Sequence, residues 1–400
     1  MVTSPRIDEL RRAIETAGPA ALDEFWHDVG SRGTPLVEPL DRDRRLVTFL
    51  WRGEATTTSV SWGVNLPLQR LGGTDLWHGS VDLPANLRTV YYLIHDGAID
   101  VPVQPGDGPT HIDATNHHPF LFPRDPRDPT DKDNWASLLE LPLAPAEPWL
   151  APSASPGTTV DAVLDSAALG GPRHVGLHLP AGVEPAGLPV LLVFDGNLSR
   201  TVLGIPSTVD SLCAAGRIPP MAVVLVHTPD DRRLRELSPH ESIVDHIADE
   251  VLPWAYRGWG VGGDPSRNVI AGSSLGGLTA SWVALRRPDL FGAVVSQSGS
   301  YWWPRLADGE PEWLTRRYTE EPLHPLRFYL DVGSWEDGPG MDGGPSQVEV
   351  NRRFRDTLRQ RGYPVAYHEY TGGHDYVNWR RTFADGLLAV LDGSGGLNPA

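Results

Sequence analysis

Apolar residues follow two different rhythms along this chain, and the rhythm changes near residue 150. Ahead of that point the apolar runs are short and broken by polar positions. Leu46-Val47-Thr48-Phe49-Leu50-Trp51, then Val60, Trp62 and Val64 at period two, then Leu76 to Val81 and Val90-Tyr91-Tyr92-Leu93-Ile94 are separated by Gly, Asn, Asp and Pro turns. Short alternating strands of this kind predict a small β-sandwich. One or two short helices precede them over residues 5 to 30, where Ile7, Leu10 and Ile14 recur at helical spacing. Residues 105 to 157 are Pro-rich and read as irregular, with the linker at about 140–157. From about residue 158 the apolar runs become continuous. Leu188 to Phe194 and Met221 to Val226 have the composition of strands buried on both faces. A helix around His240 to Tyr256, the strand Asn268 to Ala271, a helix through Leu278 to Leu285 and a strand at 293–296 then alternate. They are followed by the strand Leu326 to Val332, the helix Gln347 to Arg361, the strand Val365 to Tyr370 and a helix from Phe383 to Leu391. This alternation predicts a mostly parallel central sheet with helices on its faces. The chain is thus divided into a β-rich domain over 1–150 and an α/β domain over 158–395.

The α/β half carries a nucleophile signature. Val269-Ile270-Ala271-Gly272-Ser273-Ser274-Leu275-Gly276-Gly277 runs from an apolar strand through a Gly-framed turn into a helix, the geometry that presents a serine hydroxyl. Gly272 and Gly276 stand two residues either side of Ser274, where a side chain would collide as the chain reverses over the strand end. A serine at neutral pH needs a base, and the base needs an orienting group. In α/β-hydrolases these follow in the order Ser, Asp/Glu, His on loops at strand ends. His374, in Thr371-Gly372-Gly373-His374-Asp375 just after the last strand, is the expected base. Glu336, directly after the preceding strand, is the expected acid, with adjacent Asp337 as a rival that sequence does not separate. The N–H of Leu275 is one expected oxyanion donor, and Gly196 or Asn197, after Phe194-Asp195, the other. His111, Asp113, His117 and His118 form a His-rich cluster whose spacing matches no metal site, so no metal is expected.

Composition narrows the partners. The chain has 400 residues and a net charge of −17, so nucleic acid and anionic membranes are poor partners, and an anionic ligand must be met by local arginines. Its one cysteine, Cys213, excludes an intrachain disulfide framework. The first residues lack the apolar stretch of a signal peptide and no run approaches a membrane span, so a cytoplasmic protein is expected. Oligomeric state is not legible.

Ser296-Gln297-Ser298-Gly299-Ser300-Tyr301-Trp302-Trp303-Pro304, immediately downstream of Gly272-Ser273-Ser274-Leu275-Gly276-Gly277, closely resembles the enterochelin (ferric enterobactin) esterase family. So do Gly372-Gly373-His374-Asp375 with Trp379-Arg380, and Leu192-Val193-Phe194-Asp195-Gly196 with Arg233 and Glu236-Leu237. The N-terminal half matches in Val47-Thr48-Phe49-Leu50-Trp51-Arg52, in Leu68-Gln69-Arg70-Leu71-Gly72-Gly73-Thr74-Asp75-Leu76-Trp77 and in Ala144-Pro145-Ala146-Glu147-Pro148. The resemblance implies a cytoplasmic serine esterase that opens the serine ester bonds of tricatecholate trilactone siderophores, with iron as cargo and no cofactor. It implies that the N-terminal domain helps form the substrate pocket, that Ser274 is the nucleophile and His374 the base, and that Glu336 is the acid. Aromatic, anionic catecholates call for arginine forks and aromatic walls, so Arg233, Tyr301 and Trp302 are the expected substrate contacts. The alternative is an esterase or acyl transferase of secondary metabolism acting on another ester.

Overall fold

The computed structural model describes residues 4–96, 110–127, 131–151, 153–340 and 343–391. Residues 105–109, 128–130 and 152 of the Pro-rich stretch lie outside the described residues. The chain divides into two compact units, Met1–Pro145 and Ala146–Ala400.

In the first unit, helices Pro5–Ala17 and Ala20–Arg32 lead, among the described residues, into ten strands. Ser4 caps the first helix by accepting from the Arg6 N–H, and Gly18, at φ 74°, ends it. The strands are β1 (Leu36–Pro39), β2 (Arg44–Arg52), β3 (Thr58–Trp62), β4 (Leu66–Pro67), β5 (Gln69–Arg70), β6 (Leu76–Pro84), β7 (Arg88–His95), β8 (Thr110–His111), β9 (Pro119–Phe122) and β10 (Asn134–Glu140). They form one sheet in the order β1-β2-β6-β5 and another in the order β4-β3-β7-β10-β9, with β8 on β7. Alternation along β2 explains how the layers meet. Phe49 packs edge-on against Tyr91 of the other sheet at 4.9 Å, while its neighbour Leu50 joins Ile7, Leu10, Leu22 and Val29 of the helices. β1, β9 and β10 were not legible in the sequence. β10 takes its place from pairing with β7 across Ser137↔Tyr91, a partner its local pattern does not reveal.

The second unit is built on an eight-stranded sheet, β11 (Thr158–Ser166), β12 (Gly171–Leu179), β13 (Val190–Val193), β14 (Ala222–Val226), β15 (Val269–Ser273), β16 (Ala293–Gln297), β17 (Arg327–Gly333) and β18 (Val365–Tyr370). Its order is β11-β12-β14-β13-β15-β16-β17-β18. β11, β12 and β14 pair antiparallel and every later pairing is parallel. The chain leaves β13 to one side for β14 and returns on its other side as β15. Open α/β sheets bind ligands at such a reversal, outside the carboxyl ends of the strands. Alternate residues of the strands feed two cores. Leu192, Ile270 and Val294 pack with Trp282, Tyr318 and Phe354 on one face; Leu191, Val269 and Val295 pack with Val209, Leu212, Phe383 and Leu387 on the other.

Several helices follow their sequence signals closely. Gln347–Arg361 starts in a reciprocal Ser346–Glu349 capping box and ends at Gly362, φ 93°. The last helix begins at Tyr376 rather than Phe383, since Asp375 accepts from the Val377 N–H and starts it early. Part of the expected linker lies in the second unit: the Glu147 carboxylate takes both Nε and an Nη of Arg380 on that last helix, each at 2.6 Å. Among the described residues, no helix is long and apolar enough to cross a membrane.

One core residue is chemically out of place. Asp331 in β17 is fully buried, and among the described residues no well-formed hydrogen bond reaches either carboxylate oxygen, only weaker approaches that offset part of the burial. Thr382, Gln297 and Tyr329 surround it, and burial, with a smaller push from the charge of Glu336, raises its pKa from 3.8 to about 7. Between about pH 4 and pH 7 the folded chain therefore holds a proton that the unfolded chain releases. The stability from this site is complete at the acid end and falls by up to ~1.4 kcal/mol per pH unit as the pH rises through that window. Asp331→Asn is expected to raise the melting temperature more at pH 8 than at pH 5. Thermal unfolding of both proteins at the two pH values checks this, and a gap that does not change with pH contradicts it.

Candidate active site

The turn after β15 is tightly constrained. Ser274 sits at φ 57°, ψ −121°, a conformation side-chain-bearing residues rarely adopt. Close packing holds it there. A Cβ on Gly272 would lie 2.4 Å from the Gly276 carbonyl carbon, and one on Gly277 would lie 2.4 Å from Ser296 Oγ. The Ser274 N–H donates to the Gln297 carbonyl at 2.8 Å, and its own carbonyl accepts from the Ser300 N–H at 3.0 Å. The helix Leu275–Arg286 follows directly, so the Leu275 N–H has no intrahelical acceptor and the positive helix end lies at the serine.

The acid and base loops are joined to each other. Ser334 N–H donates to the Tyr370 carbonyl at 2.8 Å and Trp335 N–H to the Gly372 carbonyl at 2.9 Å. Gly333 is required at this crossing, since a Cβ there would stand 2.4 Å from Gly372 O. The consequence is a short contact between Glu336 Oε2 and His374 Nδ1, 2.6 Å, with the Glu336 side chain almost fully buried. The other oxygen, Oε1, accepts from Gly333 N–H at 2.8 Å and from Ser298 Oγ at 2.6 Å. Asp337 is exposed, so of the two adjacent carboxylates the structure brings Glu336 to the imidazole. Trp379 packs edge-on against His374, with centroids 4.6 Å apart. With Nδ1 engaged by the carboxylate, Nε2 is the nitrogen left to serve a nucleophile. Ser274 Oγ lies 3.2 Å from Ser300 Oγ, and no Ser274–His374 hydrogen bond forms among the described residues. Such bonds are often long in ligand-free enzymes and tighten with substrate.

The loop after β13 lies against the same elbow. A Cβ on Gly276 would come within 3.3 Å of Phe194 Cβ and 3.6 Å of Asp195 Oδ2. Asp195 is left-handed, φ 52°, and turns the chain into the short helix Gly196–Thr201. Gly196, its first residue, is buried and has no intrahelical acceptor for its N–H; Asn197 is the next residue along.

The expected substrate contacts divide three ways. Tyr301 is fully buried, its hydroxyl bonded to Ser281 and Ser296 at 2.8 Å and its ring stacked on Phe354 at 3.9 Å. It is a core residue, and the expectation that it touches substrate is corrected. Arg233 extends its fork to Asp195, Nε at 2.9 Å and an Nη at 2.7 Å. Glu236, its neighbour in sequence, pairs instead with buried Arg173. Trp302 is half-buried beside Trp303, which packs edge-on against Trp313 at 5.7 Å and near His240 at 6.3 Å. Sequence reading passed over Ser298 and Trp379 as site residues. A positive φ at a non-glycine residue, 45° at Ser298, is visible only in the structure.

The His-rich cluster disperses. Asp113 accepts from the Tyr91 hydroxyl at 2.7 Å, His111 stacks on His95 at 5.3 Å and His117 reaches the Gly30 carbonyl, while His118 is exposed. Among the described residues no group of His, Cys, Asp or Glu is placed to hold a metal ion.

Family models match both units. The putative esterase family covers residues 166–390, and the N-terminal domain of enterochelin esterases covers residues 46–150. The chain is 31% identical to an iron(III) enterobactin esterase of Dickeya dadantii, over 94% of each chain. It is 29% identical to an iron(III) salmochelin esterase of Escherichia coli O6:H1, over 95% of this chain and 96% of that one. In fold it is similar to the enterobactin esterase of Shigella flexneri crystallised in the presence of enterobactin, with TM-score 0.75 and 24% identity over 92% of this chain and 98% of that one. A carboxylic ester hydrolase with both of these domains, the chain belongs to the enterochelin esterase family.

Proposed function

We propose that this chain hydrolyses the ester bonds of tricatecholate trilactone siderophores of the enterobactin class in the cytoplasm, loosening their hold on iron. The observation that carries this reading is that likeness to an iron(III) enterobactin esterase runs through 94% of the chain. A generic esterase would share the α/β unit alone. Ferric ion is cargo within the substrate.

In this reading Ser274 Oγ attacks the ester carbonyl and passes its proton to His374 Nε2. Glu336, 2.6 Å from Nδ1, holds the ring in the tautomer that leaves Nε2 free to accept and steadies the imidazolium that forms. The oxyanion is met by the N–H groups of Leu275 and of Gly196 or Asn197, donors fixed before the reaction begins. Collapse returns the proton from Nε2 to the leaving serine hydroxyl of the lactone, leaving an acyl-enzyme. Water activated by the same imidazole then releases the acid. The half-buried Trp302 offers an aromatic face to a catechol ring, while Arg233 acts at one remove by fixing Asp195 at the start of the oxyanion loop.

Mass analysis of purified protein incubated with ferric and with iron-free enterobactin tests the reading. Wild type should release linear trimer, then dimer and monomer; Ser274→Ala and His374→Ala should each lose at least ~10³-fold, with little further loss when combined. An intact macrocycle alongside cleaved simple esters would keep the machinery and reject the siderophore.

The carboxylates separate by kinetics. Glu336→Ala should lower kcat by roughly 10²-fold or more, less than loss of Ser274, while Asp337→Ala stays near wild type. The reverse ranking assigns the acid to Asp337. Trp302→Ala should raise KM for a catecholate ester several-fold with kcat for a simple alkyl ester unchanged; equal effects on both esters would remove Trp302 from substrate recognition.

A further inference from the structure

Ser298 is the residue after β16, fully buried, and at φ 45° it is one of few non-glycine residues held in the left-handed region. Its backbone is fastened on both sides. Its N–H donates to the Asp331 carbonyl at 2.8 Å, and its carbonyl accepts from Gln347 Nε2, which also reaches the Gly299 carbonyl at 2.8 Å. A strained, doubly anchored serine pointing its hydroxyl at an active-site carboxylate invites a functional account.

The direction of every bond at that hydroxyl follows from donor inventory. Indole nitrogen can only donate, so Trp379 Nε1, at 3.1 Å, gives its proton to Ser298 Oγ. An ionised carboxylate can only accept, so the single Ser298 proton goes to Glu336 Oε1 at 2.6 Å. The Tyr370 hydroxyl, 3.2 Å from both Ser298 Oγ and the Gly373 carbonyl, shares its one proton between them. The donors converge on the carboxylate: Trp379 N–H gives to Ser298 Oγ and Ser298 O–H to Glu336 Oε1, while His374 Nδ1–H gives to Oε2 from the other side. The Trp379–Ser298–Glu336 bonds run in one direction and polarise one another in the same sense. Trp379 closes the circuit by resting its ring edge on His374, and its carbonyl is held by Gln297 Nε2 at 2.8 Å.

We propose that the Trp379–Ser298 relay is the positioning device of this active site, fixing which Glu336 oxygen faces His374 and hence where Nε2 points. The inference rests on reading Ser274, His374 and Glu336 as the catalytic group. Ser298 and Gly333 N–H together occupy Oε1, so the carboxylate cannot roll, and Oε2 alone is left for the imidazole. Without the hydroxyl, Oε1 keeps one donor and the carboxylate regains a torsion that the imidazole follows. Small displacements of a general base are costly to the chemical step and leave substrate binding untouched.

Ser298→Gly isolates the hydroxyl, because glycine accepts φ 45° without strain. With p-nitrophenyl butyrate as substrate, kcat should fall about 10- to 100-fold while KM stays within about twofold. Trp379→Phe keeps the ring edge against His374 but removes the N–H, and should lower kcat in the same direction by less. It also preserves the test should Ser298→Gly fold poorly. In a Glu336→Ala background Ser298→Gly should cost nothing further, because the hydroxyl acts only through that carboxylate. Unchanged kcat in Ser298→Gly and Trp379→Phe, with Glu336→Ala impaired, overturns the relay and leaves the catalytic group standing. An equal loss from Ser298→Gly in both backgrounds overturns it in favour of a packing role. Wild-type kcat in Glu336→Ala overturns the relay and the catalytic assignment together.

Discussion

The reversal of backbone direction at Ser274 is the constraint on which the rest of the second unit is organised. A residue at φ 57°, ψ −121° costs on the order of 1–3 kcal/mol to maintain, so it persists only where its surroundings leave no alternative. Those surroundings reach across the sheet. Gly272 and Gly277 allow strand and helix to approach closer than any side chain permits, and the end of β16 binds the turn through Gln297 and Ser300. Residues 297–300 therefore serve two masters. They hold the Ser274 backbone on one side and, through Ser298, the Glu336 carboxylate on the other.

The same economy of close approach explains what the sequence disclosed. Strands buried on both faces announce themselves as continuous apolar runs, and a helix such as Gln347–Arg361, with a capping box and a terminal glycine, carries its own boundaries. Ser274 and Glu336 could be placed because each follows closely on such a strand, and His374 because its Gly-Gly loop follows the last strand. What stayed hidden depends on partners remote in the chain. The β11–β12 hairpin lies at the sheet edge, and β11 alternates exposed and half-buried residues with little apolar signal. Arg233 finds Asp195 rather than neighbouring Glu236, and Tyr301 sinks into the core while the next residue, Trp302, stays half-buried. The choice between Glu336 and Asp337 is made by one turn, in which Glu336 N–H closes on the Gly333 carbonyl at 3.0 Å. No local pattern of two adjacent acids encodes that.

Charge is arranged locally against a strongly negative total. A net charge of −17 repels an anionic ligand at long range, yet Arg173, Arg233 and Arg380 are drawn into carboxylate pairs and other arginines are set on aromatic faces. Arg286 lies over Trp282 and Arg317 over Trp313, each at 5.4 Å, beside the edge-to-face contact of those two rings. Arginine on tryptophan covers apolar surface, and each of these two also meets a carboxylate at 3.1 Å, Arg286 at Glu241 and Arg317 at Glu320.

The Glu147–Arg380 fork bears on where the catalytic unit starts. Arg380 follows Trp379 on the last helix, and Trp379 touches His374 directly. A segment of chain ahead of the first sheet strand is thus tied, by two charge-assisted bonds, to the helix that supports the imidazole. The shortest fragment retaining every anchor of that helix begins before Glu147, well upstream of Thr158, and the Pro-rich stretch is in this respect a part of the enzyme's frame.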